Sequence, residues 1–176
     1  MTERFEYLDG VEMLVKHRVR FVLIGGVAAN LRGSTTITND LDVCYARDPD
    51  NLARLAKALR ELHARLRGAP ADVPFKLDAN ALERGDSFTF VTDVGSIDLL
   101  GHPSGIPGGY EELEAAADDV ELLGGITIKV AALDDLIRMK RSAGRPKDLV
   151  EVEILGALRD EVDDQAIAGH RRRRAR

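Results

Sequence analysis

A chain of 176 residues, 44% apolar and 31% charged, has the size and make-up of one soluble domain with a real core and room for a small helical annex. Its net charge of −5 argues against a dedicated nucleic-acid coat protein while leaving room for a local basic groove. The single cysteine, Cys44, rules out an internal disulfide and fits a reducing compartment. No apolar run approaches a membrane span, and the polar start Thr2-Glu3-Arg4 is unlike a secretory signal, so the expected setting is the cytoplasm, away from membranes.

In chain order, Phe5, Leu8, Val11, Leu14 and Val15 recur at helical spacing and predict an amphipathic helix over 4–17. Residues 19–24 form a short β-rich run that stops at Gly25-Gly26, a buried strand and its turn. Val27 to Leu31 reads as a short helix ended by Gly33, and 39–45 alternate, with Asp40 and Asp42 on one face and Leu41 and Val43 on the other. Asp48 followed by Pro49 caps and opens a strong helix carrying Leu52, Leu55, Leu59, Leu62 and Leu66. A Gly-, Pro- and Ala-rich loop covers 68–74. Strands at 87–93 and 96–100 flank Val94-Gly95 as a hairpin. The Gly- and Pro-rich stretch 101–109 is a loop, followed by a short helix at 110–116. A second hairpin turns at Gly124-Gly125 between 120–123 and 126–130. Helices then cover 132–142 and 146–160, separated by Gly144-Arg145-Pro146. The expected fold is α/β (α+β), a mixed β-sheet flanked by helices with a helical C-terminal segment. It divides into a core over 1–130, a packed helical segment over 131–162, and a basic, disordered tail over 163–176 that carries Arg171-Arg172-Arg173-Arg174.

The chemistry concentrates in three carboxylates. Asp40 and Asp42, one residue apart on a strand, share a face, and two such charges are costly unless a cation sits between them. Hard divalent ions take oxygen ligands, so the pair reads as a magnesium cradle, which Asp98 could complete from a neighbouring strand. Three carboxylates can hold two ions about 3.5–4 Å apart, an arrangement that activates an attacking oxygen and stabilises a leaving one. Gly25-Gly26 lets phosphate oxygens approach the backbone where a helix begins.

With these residues in view, Leu23-Ile24-Gly25-Gly26-Val27-Ala28, Gly33-Ser34 and Thr38-Asn39-Asp40-Leu41-Asp42 resemble the signature of the nucleotidyltransferase superfamily. The resemblance is closest to the AbiEii-like, minimal nucleotidyltransferase toxin branch. Leu136-Ile137-Arg138-Met139-Lys140-Arg141 and Gly144-Arg145-Pro146-Lys147-Asp148-Leu149 resemble that branch's C-terminal motif, and the likeness runs from about residue 20 to about residue 158. It implies an NTP donor with Mg²⁺ (or Mn²⁺), and transfer of an NMP to an RNA end, a protein side chain or a small molecule. It also brings a toxin–antitoxin role, with a cognate antitoxin as partner, into consideration. By the same analogy Asp40, Asp42 and Asp98 bind metal, with Asp98 helping to activate the acceptor. Lys140 neutralises developing phosphate charge, and Lys147 and Asp148 organise the site alongside Gly25 and Gly26.

The chain departs from that pattern where many relatives have Gly-Ser in place of Gly25-Gly26, arginine in place of Thr36, and a second aspartate in place of Glu151. These departures motivate a rival reading, a non-catalytic NTP-binding or regulatory partner module on the same fold. A kinase-like phosphotransferase is a third. Plainer roles exist for individual residues as well. Asp40 and Asp42 suit a solvent-facing edge strand, Lys140 shares a helix with Arg138 and Arg141, and Asp148 suits the first turn of a helix in any protein. His17, His63, His102 and His170 show no metal-ligand spacing, and Cys44 reads as a packed small side chain.

Overall fold

Burial follows the apolar pattern of the strands. In the computed structural model, which describes residues 6–38, 40–70 and 74–174, strand β1 (Phe21–Ile24) is buried along its whole length. Strand β2 (Asp40–Tyr45) sends Leu41 and Val43 into the core and leaves Asp42 half-buried. The two lie side by side and antiparallel, with Ile24 opposite Asp42. Strand β5 (Gly95–Leu100) pairs parallel to β2, which sets Asp98 opposite Asp42. Strand β4 (Ser87–Thr92) completes a hairpin with β5, and the two-residue strand β3 (Arg65–Leu66) closes that edge. On the other side β7 (Thr127–Val130) runs parallel to β1 and β6 (Asp118–Glu121) pairs with β7. The described strands therefore make one mixed sheet in the order β3-β4-β5-β2-β1-β7-β6. This is the mixed, helix-flanked architecture expected from the sequence.

Helices supply the covering layers. Helix α1 (Glu6–Lys16) buries Val11 and Leu14. Helix α2 (Gly25–Leu31) follows β1 without a loop, and Arg32 at its end donates to the carbonyls of Val130 and Ala131, fixing it beside β7. Helix α3 (Pro49–Glu61) opens as read, with the Asp48 carboxylate accepting from Asn51 N at 3.1 Å. Asn51 is itself fully buried. Its amide accepts from Arg20 N and donates to the carbonyls of Arg20 and Ala46, pinning α3 to the ends of β1 and β2.

Several elements differ from the sequence reading. Leu66, placed on the third helix by its spacing, instead pairs with Phe90 as part of β3. The helix stops because His63 adopts a positive φ of 51° and Ala64 N reaches back to Leu59 O. No glycine advertises this stop. A further helix, α4 (Ala79–Arg84), is capped by Asp78. The β4–β5 turn falls on Asp93-Val94, where the Thr92 hydroxyl donates to Gly95 O. Helix α5 (Gly109–Ala116) and helix α6 (Leu133–Ala143) match the reading, α6 ending at Gly144 in the left-handed region. Helix α7 runs from Pro146 to Arg174, beyond residue 160 and through the stretch read as tail. Its first turns bury Asp148, Glu151, Val152 and Leu155, whereas 160–166 are exposed. No described helix is long and apolar enough to cross a membrane.

Candidate functional site

A cleft of about 720 Å³ opens where β1, β2 and β5 end against α6 and the start of α7. It is lined by Gly25, Gly26, Asp40, Asp42, Asp98, Lys140 and Lys147. Of the residues singled out in the sequence, Asp148 alone does not line it, being fully buried behind Lys140.

The floor is acidic because of strand register. Asp42 and Asp98 are direct partners across β2 and β5, and Asp40 lies two residues along the same face. Burial pushes the Asp42 carboxyl up to about 7, and the neighbouring charges of Asp98 and Asp40 add to the rise. Lys140 and the backbone N–H of Gly26, which donates to Asp42, pull in the other direction without overcoming it. Asp98 Oδ1 is buried without a hydrogen-bond partner. The nearest cation, Arg67, holds Nη2 at 3.5 Å from Asp40 Oδ1 and 3.9 Å from Asp98 Oδ1. Among the described residues no three His, Cys, Asp or Glu side chains already converge on one point as a metal cage. The donor chemistry nevertheless suits a divalent cation. Three hard oxygen donors face one cleft, one oxygen has no partner, and one carboxyl is raised by burial and then by its neighbours' charge.

The glycine turn is shaped by that floor. Gly25 has a φ of +67°, and a Cβ there would lie 2.2 Å from Asp42 Oδ2. Gly25→Ala should therefore cost about 1–2 kcal/mol in backbone strain and more in displacing the Asp42 carboxylate. We expect a melting temperature lower by several degrees, and an unchanged thermal melt would refute the contact.

The opposite wall is basic. Lys140 Nζ lies 2.6 Å from Glu151 Oε2 and 3.4 Å from Asp148 Oδ1. Arg145 Nε donates to Asp148 Oδ2 at 2.6 Å. Burial works to raise the Asp148 carboxyl, but Arg145 and Lys140 outweigh it and hold the group below its ordinary value. Lysine, aspartate and glutamate thus form one network across the α6–α7 corner, and Lys140 and Glu151 both line the cleft. The loop after β5 contributes Pro103 and Ser104, and α6 contributes Leu136 and Met139, a more apolar end of the same cleft.

Arg67, Arg145, Glu151 and Thr38 were not among the site residues drawn from the sequence, yet all four line the cleft. Arg145 and Glu151 stood in or beside the C-terminal motif and could have been drawn from it. Arg67 carried no local signal, because it reaches the floor only once β3 has docked on β4. Cys44 is buried, its thiol pushed up to about 12 by burial, and it lies beside Gly101 O, as expected of a packing side chain. His17, His63 and His102 pair with Glu61, Asp93 and Asp86 outside the cleft.

No protein-family model and no curated protein matches the sequence. Solved structures do share its fold. The lincosamide antibiotic adenylyltransferase LnuA, in its lincomycin-bound form, superposes with a TM-score of 0.59 at 10% identity, covering 87% of this chain and 96% of that one. ANT(2")-Ia in complex with adenylyl-2"-tobramycin gives 0.54 at 13% identity over 94% of this chain and 99% of that one. The solution structure of the antibiotic-resistance factor ANT(2'')-Ia gives 0.53 at 10% identity, covering 97% and 96%. The chain shares the fold of these antibiotic-modifying structures.

Proposed function

We propose that the chain transfers a nucleoside monophosphate from an NTP to an acceptor hydroxyl, with magnesium held by Asp40, Asp42 and Asp98. The observation that carries this reading is the in-register pair Asp42 and Asp98, which with Asp40 puts three carboxylates on the floor of a cleft faced by Lys140, Arg145 and Lys147. When bound, the divalent ions supply charge neutralisation on the triphosphate and lower the pKa of the attacking oxygen. The residues do the rest. Lys140, Arg145 and Lys147 offset the negative charge of the phosphates and of the departing pyrophosphate. The acceptor oxygen forms its bond to the α-phosphorus as the bond from that phosphorus to the β-bridging oxygen breaks. The hydroxyl proton passes to the Asp98 carboxylate and on to water. Arg67, paired with Asp40 and Asp98, balances part of the floor's charge when no cation is bound.

A small hydroxylated molecule is the favoured acceptor. The cleft volume lies within the range of about 300–1,000 Å³ typical of small-molecule sites. The similar folds cited above hold lincomycin or an adenylylated tobramycin. The toxin–antitoxin role implied by the AbiEii-like resemblance would instead place the label on RNA or protein.

The test is incubation with each NTP carrying label at the α- or the γ-phosphate, with Mg²⁺ or Mn²⁺ and pooled small molecules, RNA or lysate protein. Transfer of α-label to the small-molecule fraction is expected, and α-label on RNA or protein would move the reading to the toxin branch. Transfer of γ-label would establish the kinase-like alternative. Binding of NTP without transfer of either label would favour the non-catalytic module.

A further inference from the structure

We infer that Thr38 is a triphosphate-binding residue, and that its hydroxyl takes the place left by the missing side chain at Gly26. The inference rests on the nucleotide reading above.

Gly26, unlike Gly25, has no left-handed backbone requirement, so its lack of a side chain needs another cause. That cause is Thr38. A Cβ built on Gly26 would fall 2.7 Å from both Cβ and Oγ1 of Thr38 and 2.9 Å from its Cγ2. Such approaches are shorter than van der Waals contact permits, so residue 26 and residue 38 compete for one volume, and Thr38 fills it from the far side of the turn.

The volume borders the cleft, for Gly26, Thr36, Thr38, Asp40 and Asp42 all line it. The two threonine hydroxyls are in different states. Thr36 Oγ1 is engaged by the Ser34 hydroxyl at 3.2 Å. The Thr38 hydroxyl, half-buried, makes no hydrogen bond among the described residues. A hydroxyl on a cleft-lining residue, left without a protein partner, is a donor available to a ligand. The neighbouring backbone donor, Gly26 N–H, is already directed at Asp42, whereas the side chain at 38 is a donor still free beside this turn. Across the cleft stand Lys140 and Arg145, paired with Asp148 and Glu151, and Lys147, a wall whose cations still outnumber its carboxylates and so suit an anionic ligand.

The measurement is calorimetric binding, with Mg²⁺, of whichever of the four NTPs binds best as a non-hydrolysable α,β-methylene analogue, and of the corresponding nucleoside. Thr38→Val keeps the shape that packs on Gly26 and removes the hydroxyl. It should weaken the triphosphate analogue about tenfold, the scale of one hydrogen bond to a charged group, and leave the nucleoside unchanged. Thr38→Ser should bind the analogue like wild type. Gly26→Ser alone should bind poorly, because the new Cβ meets Thr38. The double variant Gly26→Ser, Thr38→Ala should regain binding through a hydroxyl supplied from the other side of the turn. Equal binding of the analogue by wild type and Thr38→Val would overturn the inference and leave the nucleotide reading standing. The inference is also overturned if Gly26→Ser binds as wild type with Thr38 in place. Failure of wild type to bind any triphosphate would sink the nucleotide reading and this inference together.

Discussion

Asp42→Asn should abolish nucleotidyl transfer and, in the absence of metal, make the protein more stable at pH 8. Both effects have the same origin. The carboxyl titrates near 7 in the folded protein against an ordinary value of 3.8, first because it is buried and then because Asp98 and Asp40 stand beside it. A raised carboxyl pKa means that the folded state binds the proton more tightly than the unfolded chain does. The linked penalty is absent below about pH 4, where both states are protonated, and it grows as pH rises between 4 and 7. Above pH 7 it is fully present. At roughly 1.4 kcal/mol per unit, a rise from 3.8 to about 7 corresponds to a penalty on the order of 4 kcal/mol. In a chain of this length that becomes roughly 8–16 °C in melting temperature. Asparagine removes the charge and retains an oxygen to accept from Gly26 N–H. Thermal melts of the two proteins should therefore diverge at pH 8, with the variant higher, and converge as pH falls toward 4. Millimolar Mg²⁺ should narrow the gap by stabilising wild type alone. A variant less stable than wild type at pH 8 without metal would show that the carboxylates are not in conflict. Transfer, meanwhile, should fall by at least about a thousandfold on the proposed reading, in which the lost carboxylate is one of the three assigned to the metal.

The same conflict explains which parts of the site could be read from the sequence. Alternation alone puts Asp40 and Asp42 on one face and Leu41 and Val43 on the other, and that signal is local. Likewise Pro49 behind Asp48, and Gly144 after Ala143, announce helix ends by side-chain type, and the chain begins α3 and ends α6 there. Asp98 needed more than a local pattern. Its place opposite Asp42 depends on β5 joining β2 in parallel, a pairing between residues more than 50 positions apart that only the assembled sheet specifies. The reading could say a neighbouring strand but not which residue of β2 it would face. Arg67 was beyond reach for a similar reason. The third helix was carried through Leu66, and only the unmarked left-handed turn at His63 frees Arg65 and Leu66 to form an edge strand. Thr38 was legible as part of a motif but not as an occupant of the space beside Gly26, because that contact joins the start of α2 to the segment leading into β2.

Lys140→Met should reduce transfer about a hundredfold or more and also destabilise the fold, and the two losses can be separated. One ammonium serves three carboxylates here. It pairs with Glu151 at 2.6 Å and with Asp148 at 3.4 Å, and its charge lowers the pKa of Asp42. Methionine keeps most of the aliphatic stem but leaves Glu151 without its cation, while Asp148 retains Arg145. Glu151 is 6% exposed and its Oε1 already lacks a partner, so stranding it should cost about 3 kcal/mol and lower the melting temperature by several degrees. Glu151→Gln, combined with Lys140→Met, removes the stranded charge and should recover most of that stability. It should not recover the rate, if the ammonium acts on the phosphates rather than only holding α6 against α7. The pH profile gives an independent readout. Without the lysine charge the Asp42 carboxyl should titrate still higher, so the acid limb of the rate profile should move to higher pH in Lys140→Met and stay in place in Asp148→Asn, where the lysine remains. Full recovery of rate in the stabilised double variant would assign Lys140 to structure alone. A displaced acid limb with the rate still depressed would place its charge among the groups that meet the nucleotide.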